Sequence, residues 1–390
     1  MLPLPTRVFR QVRRTAPALA LALGVAPGLR PVDGRAAEEP IKLGHYGSLT
    51  GRDAAFGVAT GKGIRLAVEE LNAKGGVLGR KLEYLVEDIQ SKQGESATAV
   101  KKLISRDKVV AVIGANASAN SLEAAPICQN ARIPMMAISS TNPKVTEIGD
   151  YIFRICFIDP FQGAVLAKFA RDSLHAKRVA LMTSTNSPYS VGLSGVMRER
   201  FTALGGEIVA EQRFAEGDKD FRAQLTAIRT ARPDVVAATG FYSEAALICI
   251  QARSLGLDVP IIGGDGWEAP QLTELGGKAV EGTYYCTYFS ADNQAPEVQS
   301  FVRRYQARWN NEKPEGVSAL GYDAMYLIAA AMERTGTTDG PRLRAAMAAT
   351  KNFIGVTGKT SIDEKRNCEK PGVMLRVKNG KAEFFEQVTP

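Results

Sequence analysis

The sequence predicts an α/β protein of two doubly wound parallel-sheet lobes joined by a hinge. Three observations predict it. Short apolar strands alternate with amphipathic helices from Ile41 onward, the same rhythm restarts after Asp159, and the chain is longer than one hydrophobic core usually supports.

The elements follow in order. "IKLGHYG" reads as a strand; after a loop, Ile64, Ala67, Val68 and Leu71 recur at helical spacing until "AKGGVLGRK" breaks the helix. "KLEYLVED" is a second strand, Val100, Leu103 and Ile104 mark a helix, and "KVVAVIG" is a nearly all-apolar strand. A helix is expected over 118–128, and "IPMMAIS" and "YIFRICF" continue as strands. Such apolar runs between helices suit central strands of a sheet covered on both faces. The second series runs helix 161–174, strand "RVALMTS", helix 189–204, strand "EIVAEQRF", helix 221–230, strand "DVVAATG", helix 243–255, and strands "PIIGGDG" and "GTYYCTYF". Helices return over 298–309 and 317–333, and strand-like pieces in "GVMLRVKNGKAEFFEQV" end the chain. No low-complexity linker separates the halves, so strand-like crossings should form a hinge with a cleft between lobes. The expected division is 41–158 plus 287–370 for lobe 1 and 159–286 plus 371–390 for lobe 2. In such sheets ligands bind beyond the carboxyl ends of the strands.

Residues 1–36 read as a signal peptide. Arg7, Arg10, Arg13 and Arg14 supply a basic start, residues 16–25 an apolar stretch too short to span a bilayer, and Gly34-Arg35-Ala36 small residues for cleavage. The remaining chain is therefore expected to be soluble and periplasmic. The same 36 residues hold six Arg against one Asp, which is +5 of the net charge of +8, so +3 is left for the rest. There Lys and Arg alternate with Asp and Glu, as in "RLAVEELNAKGG", the pattern of a solvated helix face and not of a nucleic-acid stripe. Five Cys (128, 156, 249, 286 and 368) form no C-x-x-C, so neither a zinc site nor a redox pair is indicated. Export admits one disulfide, and the odd count leaves at least one thiol free.

Enzyme chemistry is thinly represented. The two His, His45 in the first strand and His175 near a helix end, have no H-E-x-x-H, G-x-S-x-G or P-loop motif around them. A Rossmann-type NAD enzyme is the serious rival, because "KLEYLVED" ends in Glu87 and Asp88, where a ribose-binding acid sits in that fold. The loop "GSLTGRDAAFGVATGKG" lacks the G-x-G-x-x-G that would cradle a pyrophosphate. No enzyme activity, cofactor or metal is expected.

The stretches "GSLTGRDAAFG", "AVEELNAKGGVLGRKLEYLVED", "VVAVIGANAS", "ISSTNP", "FRICFIDPFQG", "DFRAQLTAIR", "GFYSEAA", "GGDGWEAPQL" and "YDAMYL" resemble the leucine/isoleucine/valine-binding family of type I periplasmic binding proteins. All nine stand in the family's order, across nearly all of 41–390. The resemblance implies a Venus-flytrap receptor, monomeric, which binds a small amino acid and delivers it to the membrane permease of an ABC transporter. It further implies that Ser118 meets the ligand's α-carboxylate and that the backbone at Ser139 and the hydroxyl at Thr141, with Ser140 between them, complete the grip. Asp265 would take the α-ammonium, and Asp159 matches a further polar position at the crossing between lobes. Phe56, Tyr189, Tyr242 and Trp267 would line the side-chain end, with Phe241 an alternative to Tyr242. Each also has an ordinary reading: Ser118, Asp159 and Asp265 as helix caps, Thr141 as a turn residue, the aromatics as packing. Gln90 and Ala117 stand where family archetypes carry a disulfide, so packing is expected to hold the carboxylate-binding loop instead. A sensor of the same fold, or a receptor for an amide or aromatic acid, remains open.

Overall fold

The computed structural model describes residues 39–390; the signal peptide expected over 1–36 lies outside them. The first half runs β1 (Ile41–Gly47), α1 (Ala54–Ala73), β2 (Leu82–Asp88), α2 (Glu95–Ser105), β3 (Ala111–Ile113), α3 (Ser118–Ala131), β4 (Met135–Ala137), α4 (Lys144–Glu147) and β5 (Ile152–Arg154). These strands form a parallel sheet in the order β2-β1-β3-β4-β5. The second half runs α5 (Asp159–Lys168), β6 (Arg178–Ser184), α6 (Pro188–Ala203), β7 (Glu207–Phe214), α7 (Arg222–Ala231), β8 (Val235–Thr239), α8 (Tyr242–Ser254), β9 (Ile261–Gly263), α9 (Pro270–Gly276) and β10 (Tyr284–Thr287). The chain then passes through α10 (Pro296–Arg308), α11 (Gly316–Thr335), α12 (Gly340–Ala348) and a hairpin of β11 (Phe353–Gly355) and β12 (Gly358–Thr360). It ends in β13 (Gly372–Lys378) and β14 (Lys381–Val388).

The second sheet has the order β14-β13-β10-β9-β8-β6-β7. Its strands β6 to β10 are parallel, whereas β13 and β14 add an antiparallel edge. Asn379 and Gly380, both with positive φ, make the tight turn that lets β14 fold back on β13. The central strands β3, β4, β8 and β9 are buried at every residue, as expected where helices cover both faces of a sheet.

Helices α10 and α11, though late in sequence, pack on α1 of the first half. Arg308 pairs with Glu69 at 2.8 Å, and the Tyr322 and Tyr326 hydroxyls donate to Glu70 at 2.7 and 2.8 Å. The contact is close enough to require glycine: a Cβ on Gly63 would lie 1.9 Å from the Ser318 carbonyl oxygen. Among the described residues no helix is long and apolar enough to cross a membrane, and no group of three or more His, Cys, Asp or Glu is placed to hold a metal ion. All five Cys are free and buried, as small hydrophobes.

Candidate functional site

In the first sheet, loops leave the carboxyl ends of β3 and β4 side by side. Ser118 follows β3 as the first residue of α3, while the extended N-cap residue is Ala117, so Ser118 is not the cap. Its Oγ accepts the Asn142 N–H at 3.2 Å, which leaves the hydroxyl proton for a ligand. The helix dipole and uncapped amides at this end favour an anion. Beside it, the Ser139 hydroxyl accepts from Asn116 Nδ2 at 3.1 Å, and Asn116 also donates to Thr60 Oγ1 at 3.0 Å.

Ser140 and Thr141 point elsewhere. The Ser140 hydroxyl bonds Ser121 Oγ at 2.7 Å and the Asn116 carbonyl at 3.0 Å, while Ser121 Oγ accepts the Ala115 N–H at 3.2 Å. This hydrogen-bonded staple holds the loop before α3, in addition to the packing expected in place of the absent disulfide. Thr141 is buried with its Oγ1 unpartnered, and its carbonyl accepts the Asp159 N–H at 2.9 Å. Beneath the loop the buried Arg154 guanidinium donates to the carbonyls of Ser140, Asn142 (2.8 Å) and Pro143 (3.3 Å). A fan of fixed donors gathers these carbonyls around one side chain and so sets the loop's shape.

The opposite wall belongs to the second half. Asp265 opens a 3₁₀ turn (Asp265–Trp267) after β9, and its buried carboxylate accepts from Gln162 Nε2 at 2.8 Å and from the Tyr288 hydroxyl. Burial pushes its pKa up and these donors pull it back, and among the described residues no Lys, Arg or His forms an ion pair with it. The Tyr189 hydroxyl, on α6, accepts the Gly266 N–H at 3.2 Å, and its ring stacks on Phe241 with centroids 5.6 Å apart. From the first half, Phe56 meets Phe241 and Tyr242 edge-on at 5.8 and 5.2 Å.

These groups line a narrow cavity of about 10 Å³, bounded by Phe56, Asn116, Ala117, Ser118, Ser139, Tyr189, Phe241, Asp265 and Gly266. That is about the smallest space that holds one water, so the two walls stand nearly closed on each other. The structure thus brings together Phe56, Ser118, Ser139, Tyr189 and Asp265 of the predicted residues. Tyr242 stands beside the cavity and donates to the Arg52 carbonyl at 2.6 Å, and Phe241 takes the lining position. Trp267 lies in the core, its indole N–H on the Ala238 carbonyl at 3.1 Å and its ring against Gly263. Asp159 begins α5 but caps nothing: its carboxyl is buried with only the Thr141 hydroxyl near it, in looser than hydrogen-bond geometry, and burial pushes its pKa up to about 8.

Sequence reasoning missed Asn116, Gln162 and Tyr288, which meet the site through space. Only Asn116, next to a strand end in "VIGANAS", carried a local signal. It also missed Glu268, whose buried carboxylate accepts the Gly316 N–H at the start of α11 (2.8 Å) and the Thr287 hydroxyl (2.5 Å). That side chain ties the turn carrying Asp265 to a helix of the first half.

A family model described as periplasmic binding protein matches residues 40–382. The chain belongs to the periplasmic binding protein family. Within that family it is 30% identical over 349 residues to an amino acid binding protein of Pseudomonas aeruginosa, covering 89% of this chain and 91% of the relative. The crystal structure of the leucine binding protein LivK from Thermotoga maritima is 40% identical with a TM-score of 0.85, covering 90% of this chain and 99% of that one. LivJ of Streptococcus pneumoniae, a branched-chain amino acid transporter substrate binding protein solved with isoleucine, is 35% identical with a TM-score of 0.86, covering 90% and 100%. A solute binding protein of an ABC transporter from Rhodopseudomonas palustris, solved with 3,4-dihydroxy benzoic acid, is 26% identical with a TM-score of 0.81, covering 90% and 97%. The fold is the type I periplasmic binding protein fold, and the family is one of solute-binding proteins, not enzymes.

Proposed function

We propose that this periplasmic binding protein is the exported receptor of an ABC transporter, which clamps a small amino acid, branched-chain or similarly apolar, and presents it to a membrane permease. The observation that carries the reading is the division of charge across the cavity. One wall offers the Ser118 hydroxyl and the α3 N-terminus, which suit a carboxylate; the other offers the Asp265 carboxylate, which lacks a cation. A zwitterion bridges the two walls, and ligand therefore favours closure by its differential affinity for the closed form. Micromolar binding corresponds to about −8 kcal/mol, within reach of a few charge-assisted bonds and a small apolar pocket.

Three rings around the cavity support a second reading, a receptor for an aromatic acid. Such a ligand has no ammonium for Asp265, which counts against it. A thermal-shift screen of L-amino acids against benzoates separates the two, since a ligand specific to the folded state raises the melting temperature. The proposal expects shifts from L-leucine, L-isoleucine or L-valine that Asp265→Ala abolishes; shifts from benzoates alone, or an unaltered response in that variant, refute it.

A further inference from the structure

Apart from the residues that line the cavity, the two halves meet in an ion pair between Arg52 and Glu216. Arg52, in the loop between β1 and α1, reaches out of the first half. Its Nη2 lies 2.9 Å from Glu216 Oε2 in the loop between β7 and α7 of the second half. The same residue is held twice more: its Nε lies 3.1 Å from Asp53 Oδ1, and its carbonyl accepts the Tyr242 hydroxyl at 2.6 Å. The partner is equally prepared. Asn186 Oδ1 accepts the Glu216 N–H and Glu244 Oε1 accepts the Gly217 N–H, both at 2.8 Å, so the turn presenting the Glu216 carboxylate is pinned from both sides. Asp53 and Glu244 place two further negative charges near the one guanidinium.

An exposed ion pair contributes little, but here the side chains are only 32% and 16% exposed and both loops are fixed beforehand. We propose that Arg52 and Glu216 form a latch that holds the two halves closed and sets how long the amino acid stays bound, without contacting it. The latch rests on the clamp reading above. It makes closure partly independent of the ligand's side chain, so residence time and selectivity are governed by different residues. Bond-breaking at the latch must precede release, and the effect therefore falls on dissociation more than on association.

The test uses the full-length mature protein and L-leucine. Stopped-flow dissociation should be about fivefold to tenfold faster in Arg52→Met and in Glu216→Gln, with the preference for L-leucine over L-valine unchanged. Raising salt should speed release from the wild type and leave both variants unaffected, because screening acts on the pair. In parallel, spin labels on the two halves of the ligand-free protein should report a smaller closed fraction in each variant. Unchanged dissociation, salt response and closed fraction in folded variants would overturn the latch. Failure of wild-type protein to bind L-leucine would refute the clamp instead, and the ligand-free distances would still decide the latch.

Discussion

Asp159 behaves unlike a carboxylate at the surface. Burial of its carboxyl outweighs the nearby Thr141 hydroxyl, and Asp265 adds negative charge, so its pKa rises to about 8 from the usual 3.8. A folded-state value above the unfolded one means that the group favours folding below about pH 4 and that this contribution fades as pH rises through 8. Glu268, pushed up to about 7, acts in the same direction. The melting temperature of the ligand-free protein should therefore fall between pH 6 and pH 9, and Asp159→Asn should flatten that decline. An ammonium on Asp265 lowers the Asp159 pKa, so binding L-leucine at pH 7 should release part of a proton, seen by calorimetry in buffers of different ionisation enthalpy. Asp159→Asn should abolish the release. Burial is a property of the assembled hinge, which is why sequence could mark Asp159 as polar and well placed but not as protonated.

At the scale of elements, Arg154 bears the most. Replacing it with Met would strand the buried carbonyls of Ser140, Asn142 and Pro143 at roughly 1–3 kcal/mol each, so urea unfolding should show a loss of about 3 kcal/mol or more. A loss below about 1 kcal/mol would mean that water or other donors replace the guanidinium. Tyr242→Phe removes one neutral hydrogen bond across the mouth and should weaken L-leucine binding by about threefold to tenfold, at 0.5–1.5 kcal/mol per bond. The long periodic elements were legible: α6, α8, α10 and α11 lie within a few residues of the expected spans, because apolar spacing of 3 and 4 is written directly in the chain, whereas α1 begins at Ala54, ten residues before Ile64 and inside the stretch read as a loop. The three-residue strands β11 and β12 and the nine-residue α12 were not, since such short pieces are fixed by tertiary contact; Asp323, for one, holds the β11–β12 turn through the Val356 and Thr357 amides.

For the whole molecule, the alternating βα rhythm and its restart after Asp159 were enough to read two sheets, whereas Ser118 and Asp265, which line the cavity together, were singled out by the family resemblance and not by strand ends alone. What the chain did not disclose is which aromatics face inward. Trp267 sits one residue from a cavity-lining glycine and yet turns into the core, because Gly263 leaves room for its ring. Tyr242 and Phe241 are adjacent, and only the first turn of α8 decides that Phe241 lines the cavity. The account's central claim is that separate halves grip the opposite charges of one small molecule. Isothermal titration with L-leucine, leucinamide and 4-methylpentanoate, which share one side chain, tests this directly, since the amide lacks the carboxylate and the acid lacks the ammonium. Both analogues should bind at least a hundredfold more weakly than L-leucine, about 2.7 kcal/mol or more by the relation of affinity to free energy; an analogue that matched L-leucine would show that one of the two walls does not hold the ligand's charge.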